Sequence, residues 1–203
     1  MDAMLAGNGT GDETPLRVLA FSGSLRAGSY NAALLRAAQE LAPPGLAMTI
    51  YDSIELPMFN EDVEARGDPY QVADFKAAIR AADVLLIATP EYNYGIPGVL
   101  KNAIDWASRP AGRAPLNGKL AAIIGASVGI VGSARAQLQL RQAFTFTNTL
   151  AMLQPEVLVS RAHEKFDSEG RLSDEPTRSF LRRYLGTFHG WARGIMQGAL
   201  IAR

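Results

Sequence analysis

The sequence contains no cysteine and no long hydrophobic run, and its charges cancel. Twenty Lys and Arg residues balance twenty Asp and Glu residues, so the formal net charge of the 203-residue chain is zero. The absence of cysteine excludes disulfides, zinc ribbons, iron–sulfur clusters and thiol nucleophiles. A nucleic-acid binder normally shows a basic excess, and a membrane-spanning helix needs a run of about 18 apolar residues. We therefore expect a protein that binds neither nucleic acid nor membrane.

The amino-terminal segment, residues 1–15, is rich in glycine and small polar residues, and its charged residues are acidic. A secretory signal requires a basic start and an apolar core of about 7–15 residues, and this segment has neither. We predict a flexible tail over residues 1–15 and a cytoplasmic location. Because one domain usually has about 100–200 residues, we predict a single domain over residues 16–203.

Short apolar runs alternate with segments of helical period along the rest of the chain. The predicted strands are Arg17–Ser22, Ala47–Tyr51, Val84–Thr89, Leu120–Ala126 and Pro155–Val159. The predicted helices are Asn31–Leu41, Asp68–Ala82, Gly98–Ser108, Ser133–Met152 and Glu175–Met196. This alternation is typical of parallel βαβ units. We predict an α/β, flavodoxin-like fold with a doubly wound five-stranded parallel sheet in the order 2-1-3-4-5 and helices on both faces.

The loop after the first strand carries the parts of a phosphate site. It reads GSLRAGSYN over Gly23–Asn31 and precedes a helix start, where free backbone N–H groups and the positive end of the helix dipole favour anions. Ser24, Ser29 and Asn31 add short side-chain donors, and Arg26 adds a forked positive charge suited to phosphate. The pattern predicts a pocket for one phosphate group.

Two better-known phosphate motifs do not fit this loop. Gly23 and Gly28 match the opening of a nucleoside-triphosphatase loop, but Ser29 and Tyr30 follow where that motif requires Lys and Ser or Thr. The dinucleotide pattern G-x-G-x-x-G also fails, because no glycine lies two positions after Gly23. A Ser- or Asn-capped helix with an exposed arginine is the ordinary alternative, and the loop alone leaves both interpretations open.

The loops after the third and fourth strands add aromatic and polar groups at the same edge of the sheet. Six consecutive residues follow the third strand: Pro90, Glu91, Tyr92, Asn93, Tyr94 and Gly95. Prolines stiffen this segment, and its two tyrosines could stack on or flank a flat ring. Ser127, after the fourth strand, could bond the polar rim of such a ring. An ordinary turn with surface tyrosines is the alternative for the third loop taken alone.

No residue constellation points to acid–base or metal catalysis. His163 and His189 lie in the last quarter of the chain, away from the three loops, and neither H-x₃-H nor H-E-x-x-H spacing occurs. We therefore predict no catalytic side chain and no metal site. Such a pattern suits a protein whose cofactor carries the reaction.

The three loops together resemble the NADPH-dependent FMN reductase family, which includes flavodoxin-like quinone, chromate and azo-dye reductases. The resemblance is carried by GSLRAGSYN (Gly23–Asn31), PEYNYGIPGVLKNAIDW (Pro90–Trp106) and GASVGIVGSARAQLQLRQ (Gly125–Gln142), and it extends over roughly Leu16–Gln142. It implies that FMN is bound through residues of all three loops. The chain departs from the family's usual pattern at Gly95, where many members carry Ser, and at Val128, where many carry Pro.

The resemblance also implies roles for individual residues. Those that would hold the FMN phosphate are Ser24, Arg26, Ser29 and Asn31. Pro90 through Gly95 would line the isoalloxazine, and Ser127 would touch its far edge. We expect Glu91 to be a polar rim or interface residue and not an acid catalyst.

The implied activity is an FMN-dependent NAD(P)H oxidoreductase. Electrons would pass from NADPH or NADH by a ping-pong mechanism to quinones or similar small acceptors, such as azo dyes, chromate or free flavin. A non-enzymatic FMN electron carrier of flavodoxin type is the main alternative, although such carriers usually present an acidic face. A flavin-free protein that binds a phosphorylated ligand also remains open.

The predicted helix over Ser133–Met152 is apolar on more than one side. Its large apolar residues are Leu138, Leu140, Phe144, Phe146 and Leu150. A helix that is apolar over most of its circumference is often buried by a partner. Because the related family generally forms dimers or tetramers, we expect a homodimer or homotetramer; packing within one subunit is the alternative.

Overall fold

A computed structural model of the chain describes residues 14–199, so almost all of the predicted tail lies outside the described residues. The strands, in chain order, are β1 (Leu16–Ser22), β2 (Leu46–Ile50), β3 (Val84–Ala88), β4 (Leu120–Ala126), β5 (Leu150–Ala151) and β6 (Val157–Val159). They form one parallel sheet in the order β2-β1-β3-β4-β5, and β6 also pairs with β4. The predicted 2-1-3-4-5 order is confirmed.

The helices cover both faces of the sheet. They are α1 (Tyr30–Leu41), α2 (Glu61–Glu64), α3 (Tyr70–Ala81), α4 (Gly98–Ala107), α5 (Ala134–Thr147) and α6 (Glu175–Ala199), with a 3₁₀ turn at Ala162–Glu164. The buried residues of α1 and α6 share one hydrophobic cluster with the sheet. Those of α3, α4 and α5 form a second cluster on the opposite face. Because sheet residues alternate between these clusters, β3 and β4 are buried and without polar side chains at every position.

The fifth position in the sheet differs from the prediction. It is divided between β5, which pairs with Leu120 and Ala121, and β6, which pairs with the segment from Ile124 to Ala126. The predicted strand over Pro155–Val159 begins at Val157 in the structure. Proline has no N–H with which to extend a strand ladder, which explains why Pro155 lies outside the strand.

The predicted helix over Ser133–Met152 is also wrong at its carboxyl end. Helix α5 ends at Thr147, where Asn148 takes the left-handed conformation with φ of 52° and donates its N–H to the Phe144 carbonyl. Asn is among the few non-glycine residues that tolerate this conformation. The Thr149 hydroxyl then donates to the Leu116 carbonyl at 3.0 Å, and the chain re-enters the sheet as β5. Leu150 is therefore a strand residue.

Helix α4 anchors the long loop that follows β2. The Asn102 carboxamide accepts the Phe59 N–H at 2.8 Å and donates to the carbonyls of Leu56 and Pro57. The indole N–H of Trp106 donates to the Pro57 carbonyl at 2.7 Å. Four hydrogen bonds thus tie this loop to the helix that begins directly after the tyrosine-containing loop.

Candidate functional site

The first loop brings a close backbone turn to the amino end of α1. The Gly23 N–H donates to the Ala88 carbonyl of β3 at 2.8 Å, and a Cβ on Gly23 would lie 3.0 Å from the Leu100 side chain. Ser29 caps α1, and its hydroxyl accepts the Ala32 N–H at 3.2 Å. The next two backbone N–H groups, of Tyr30 and Asn31, have no acceptor within residues 14–199. This arrangement leaves donors available to an anion.

Arg26 is exposed in this loop, and no carboxylate or other hydrogen-bond partner contacts its guanidinium within the described part of the chain. Five other described arginines form ion pairs with carboxylates, as Arg17 does with Asp83 at 2.7 Å. An arginine without a protein partner beside unpaired N–H groups supplies the charge and geometry that a phosphate requires. The predicted phosphate donors Ser24, Arg26 and Ser29 are therefore brought together.

Asn31 differs from those three because its side chain is engaged with the backbone. The Asn31 amide nitrogen donates to the Ala126 carbonyl, and its oxygen accepts the Ala126 N–H, each at 2.9 Å. The side chain is buried and joins α1 to the end of β4. Its role in the structure is to hold the loop after β1 and the loop after β4 together.

The third-strand loop forms a tight hairpin. Tyr92 and Gly95 exchange two backbone hydrogen bonds of 2.9 Å, and between them Asn93 and Tyr94 have φ values of 50° and 67°. Two successive residues with positive φ are typical of a type I′ turn. Both tyrosine side chains are exposed, at 47% for Tyr92 and 72% for Tyr94. The hairpin therefore presents aromatic surface to solvent at the carboxyl edge of the sheet.

Glu91 connects this hairpin to the amino end of α5. Its carboxylate accepts the Arg135 N–H and a guanidinium N–H of Arg135, each at 2.8 Å, and the Ala136 N–H at 3.3 Å. Burial acts to raise the pKa of Glu91, but these hydrogen bonds outweigh it and hold the pKa below its ordinary value. The Arg135 guanidinium also lies 3.9 Å from the centre of the Tyr94 ring. The Glu91 carboxylate is an N-terminal cap of α5.

The fourth-strand loop is held from the side of β6. The Ser127 carbonyl accepts the Ala162 N–H at 3.0 Å, and the Gly129 carbonyl accepts the Arg161 N–H at 3.1 Å. The Ser127 hydroxyl accepts the Gly129 N–H at 3.2 Å. These contacts fix the loop that contains Val128. They also place the 3₁₀ turn that contains His163 beside this loop, closer to the site than we expected.

A single cleft of about 270 Å³ lies where the three loops meet. Its lining includes eight of the eleven predicted site residues: Ser24, Arg26, Ser29, Asn31, Pro90, Glu91, Tyr92 and Ser127. The other three, Asn93, Tyr94 and Gly95, continue the hairpin beyond the cleft wall. Three further lining residues were not named individually: Tyr30, and the two neighbours of Ser127, Ala126 and Val128. They adjoin predicted residues, and Tyr30 packs against Phe166 with ring centroids 5.3 Å apart.

A larger groove of about 380 Å³ runs beside β6, away from these loops. Glu156, Lys165 and Asp174 are its charged lining residues, and Lys165 pairs with Asp174 at 2.9 Å, while Asp174 also accepts the Thr177 N–H and hydroxyl. The groove's cation, Lys165, is thus paired within the protein. The smaller cleft, with its unpaired donors, is therefore the better candidate for a ligand site.

Sequence comparison identifies the family. The profile of NADPH-dependent FMN reductases matches residues 16–164. The chain is also 51% identical over 180 residues to the NAD(P)H-dependent FMN reductase of Pseudomonas aeruginosa, covering 89% of this chain and 97% of the relative. The chain belongs to the NADPH-dependent FMN reductase family. As a member it is an oxidoreductase that uses FMN and NAD(P)H.

Other similar proteins support this family assignment. A quinone reductase of Pseudomonas putida is 42% identical over 171 residues, covering 84% of this chain and 91% of the relative. The solved structure of FerB, a flavoenzyme NAD(P)H:(acceptor) oxidoreductase from Paracoccus denitrificans, superimposes with a TM-score of 0.80 at 37% identity. That superposition covers 88% of this chain and 98% of FerB. The flavodoxin-like fold is thus confirmed independently of the predicted elements.

The first loop of this FMN reductase fits the phosphate of FMN. A phosphate monoester carries close to two negative charges at neutral pH, and its oxygens accept several hydrogen bonds. The loop offers the Arg26 guanidinium, two hydroxyls and the unpaired N–H groups of Tyr30 and Asn31.

Within residues 14–199 no group of three or more His, Asp or Glu side chains could hold a metal ion, and no helix is long and apolar enough to span a membrane.

Proposed function

We propose that the cleft binds FMN, with the phosphate held by Ser24, Arg26 and Ser29. The observation that carries this assignment is the set of unpaired donors at the amino end of α1, beside an arginine with no partner among the described residues. A phosphate dianion there would accept hydrogen bonds from the helix N–H groups and would also neutralise the Arg26 guanidinium. The backbone of Asn31 would contribute its N–H, while its side chain holds the loop in place.

The ring of FMN would lie along the hairpin from Pro90 to Gly95, with Ser127 at its far edge. When bound, FMN supplies two-electron chemistry between a nicotinamide and an acceptor. The chain's residues orient it: Glu91 fixes the hairpin to α5, and Tyr92 and Tyr94 border the open face. The absence of a catalytic side chain in this assignment agrees with a reaction that the cofactor performs.

We propose that the acceptors are quinones or similar flat molecules. Relatives named quinone reductase, from Pseudomonas putida and Escherichia coli, are 42% and 39% identical to this chain. The rings of Tyr92 and Tyr94 are exposed, and they would border one open face of the bound flavin. Donor and acceptor would use that face in turn, which predicts ping-pong kinetics. The names of these relatives favour a reductase over a non-enzymatic electron carrier.

The experiment is a steady-state measurement on the full chain purified with FMN. Initial rates of NADPH and NADH oxidation are recorded at several concentrations of 1,4-benzoquinone. Parallel lines in double-reciprocal plots are the expected result. Lines that intersect would show that donor and acceptor bind together and would exclude a shared face. A protein that retains FMN but does not consume NADPH or NADH would be an electron carrier.

We further propose a homodimer or homotetramer that acts in the cytoplasm. Large apolar side chains are exposed on and beside α5, including Phe146 at 90%, Leu153 at 68% and Leu138 at 61%. A monomer rarely exposes so many large apolar groups together.

The cytoplasmic assignment is supported by the electron donor, because NAD(P)H is maintained inside cells. One sheet covered by two hydrophobic clusters supports a single domain over residues 16–203.

A further inference from the structure

Gln139, on the exposed side of α5, contacts the exit of the tyrosine hairpin. Its carboxamide oxygen accepts the Ile96 N–H at 2.6 Å across 43 residues of sequence. The same oxygen occupies the space beside Gly95, where an added Cβ would lie 2.5 Å from it. A carbon and an oxygen cannot approach so closely without one of them moving. A side chain at position 95 would therefore displace the Gln139 carboxamide oxygen from the position in which it accepts the Ile96 N–H.

The hairpin needs support from outside because its own conformation is unfavourable. Tyr94 has a positive φ of 67°, which costs free energy for a bulky residue, whereas Asn93 tolerates its φ of 50°. Helix α5 supplies that support at three points. The Glu91 carboxylate binds its amino end, Arg135 stacks on Tyr94, and Gln139 binds the main chain after Gly95. Of these contacts, the one from Gln139 fixes the backbone at the exit of the hairpin.

We propose that Gln139 is a positioning residue for the flavin-facing hairpin, and that Gly95 is glycine because Gln139 occupies the space of its side chain. This inference rests on the proposed placement of the ring along the hairpin. Gln139 acts through the main chain of Ile96 and does not touch the flavin itself. Losing its hydrogen bond would let the hairpin shift and change the environment of the ring.

The test compares Gln139→Ala with Gln142→Ala. Gln142 is exposed on the same helix and makes no side-chain hydrogen bond within the described residues, so it controls for the loss of a surface glutamine. FMN dissociation constants are measured by fluorescence, and midpoint potentials of the bound flavin by spectroelectrochemistry. We expect Q139A to weaken FMN binding roughly 2- to 10-fold, the worth of one hydrogen bond. We also expect it to shift the midpoint potential, whereas Q142A matches the unsubstituted protein in both.

A double-mutant cycle tests the steric part of the inference. Gly95→Ser alone displaces the Gln139 carboxamide, so it should weaken FMN binding by about the same factor as Q139A. Adding G95S to Q139A should then cause little further loss, because the hydrogen bond is already absent. Additive effects of the two substitutions would overturn the proposal. Thermal unfolding of each variant identifies any that fails to fold; if G95S is one of them, the comparison of Q139A with Q142A alone decides the proposal.

The outcomes separate this inference from the proposed function. If the unsubstituted protein and Q142A do not bind FMN, the proposed function fails. If both bind FMN and Q139A matches them in affinity and midpoint potential, the role of Gln139 is refuted while the proposed function stands.

Discussion

The carboxamide of Asn31 bonds both the N–H and the carbonyl of Ala126, at 2.9 Å each, across 95 residues of sequence. Asn31 lies in the first turn of α1, and Ala126 is the last residue of β4. This pair therefore joins the candidate phosphate loop to the candidate ring-edge loop. A buried amide that satisfies two backbone groups at once behaves as part of the scaffold, and it explains how loops distant in sequence keep a constant separation.

Replacing Asn31 with Ala should destabilise the protein strongly. The substitution leaves the N–H and carbonyl of Ala126 buried without partners, and each such group costs about 1–3 kcal/mol. We expect the free energy of unfolding in urea to fall by about 2–4 kcal/mol. Arg36→Ala, an exposed change on the same helix, is the control and should alter it by less than about 0.5 kcal/mol. Equal effects of the two substitutions would contradict the scaffold role.

The Glu91 carboxylate should make stability depend on pH in the acid range. Its hydrogen bonds to Arg135 and Ala136 hold its pKa in the folded state below the ordinary value, despite burial. The unfolded state therefore binds more protons as the pH falls below about 4.5, and this contribution is lost as the pH falls through the folded pKa. In Glu91→Gln that part of the pH dependence should disappear. Urea unfolding between pH 3.5 and 6.5 gives the free energy of unfolding against pH for the unsubstituted protein and for E91Q. Identical slopes in the two proteins would exclude the effect.

Much of the fold follows from hydrophobic pattern because the strands are buried on both faces. A parallel strand covered by helices on each side is apolar at every position, and β4 was predicted with its observed bounds. The predictions for β1 and β3 differ from the structure by one residue at one end. Since strands that alternate with helices allow few topologies, the order 2-1-3-4-5 followed from the element sequence.

The carboxyl end of α5 could not be read from the same signal. Leu150 continues the apolar spacing of the helix, but Asn148 ends the helix through a backbone conformation that periodicity does not record. The loops show a similar limit. Sequence marks Asn31 and Glu91 as polar residues in the segments that follow β1 and β3, but their hydrogen-bond partners lie 95 and 44 residues away. No sequence pattern near Gln139 indicated its role, because its partner Ile96 lies in the loop after β3, 43 residues away.

Arg26 should discriminate FMN from riboflavin. If its guanidinium binds the phosphate, Arg26→Ala removes a charge-assisted interaction worth about 1.5–3 kcal/mol, and FMN affinity should fall about 10- to 100-fold. Riboflavin has no phosphate, so its affinity should not change. Flavin fluorescence quenching measures both dissociation constants. Equal losses for the two flavins would mean that Arg26 supports the ring or the fold and does not bind the phosphate.

The exposed apolar surface of α5 should be an interface between copies of this chain. Phe146 and Leu138 are exposed at 90% and 61% in the single chain, and burying such side chains contributes about 1.5–3 kcal/mol each. In a two-fold symmetric interface every substitution occurs twice. Phe146→Lys should therefore raise the dissociation constant at least about 100-fold, as measured by sedimentation equilibrium.

Tyr70→Lys is the matched control for this measurement, because Tyr70 is 81% exposed at the start of α3, on a different helix. It introduces the same charge while leaving the surface of α5 intact, so its oligomeric state should equal that of the unsubstituted protein. Dissociation by Y70K as well as F146K would indicate that added charge, not the loss of an α5 contact, separates the subunits. An unsubstituted chain that sediments as a monomer at micromolar concentration would remove the interface altogether, and the apolar side chains of α5 would then have no partner of this kind.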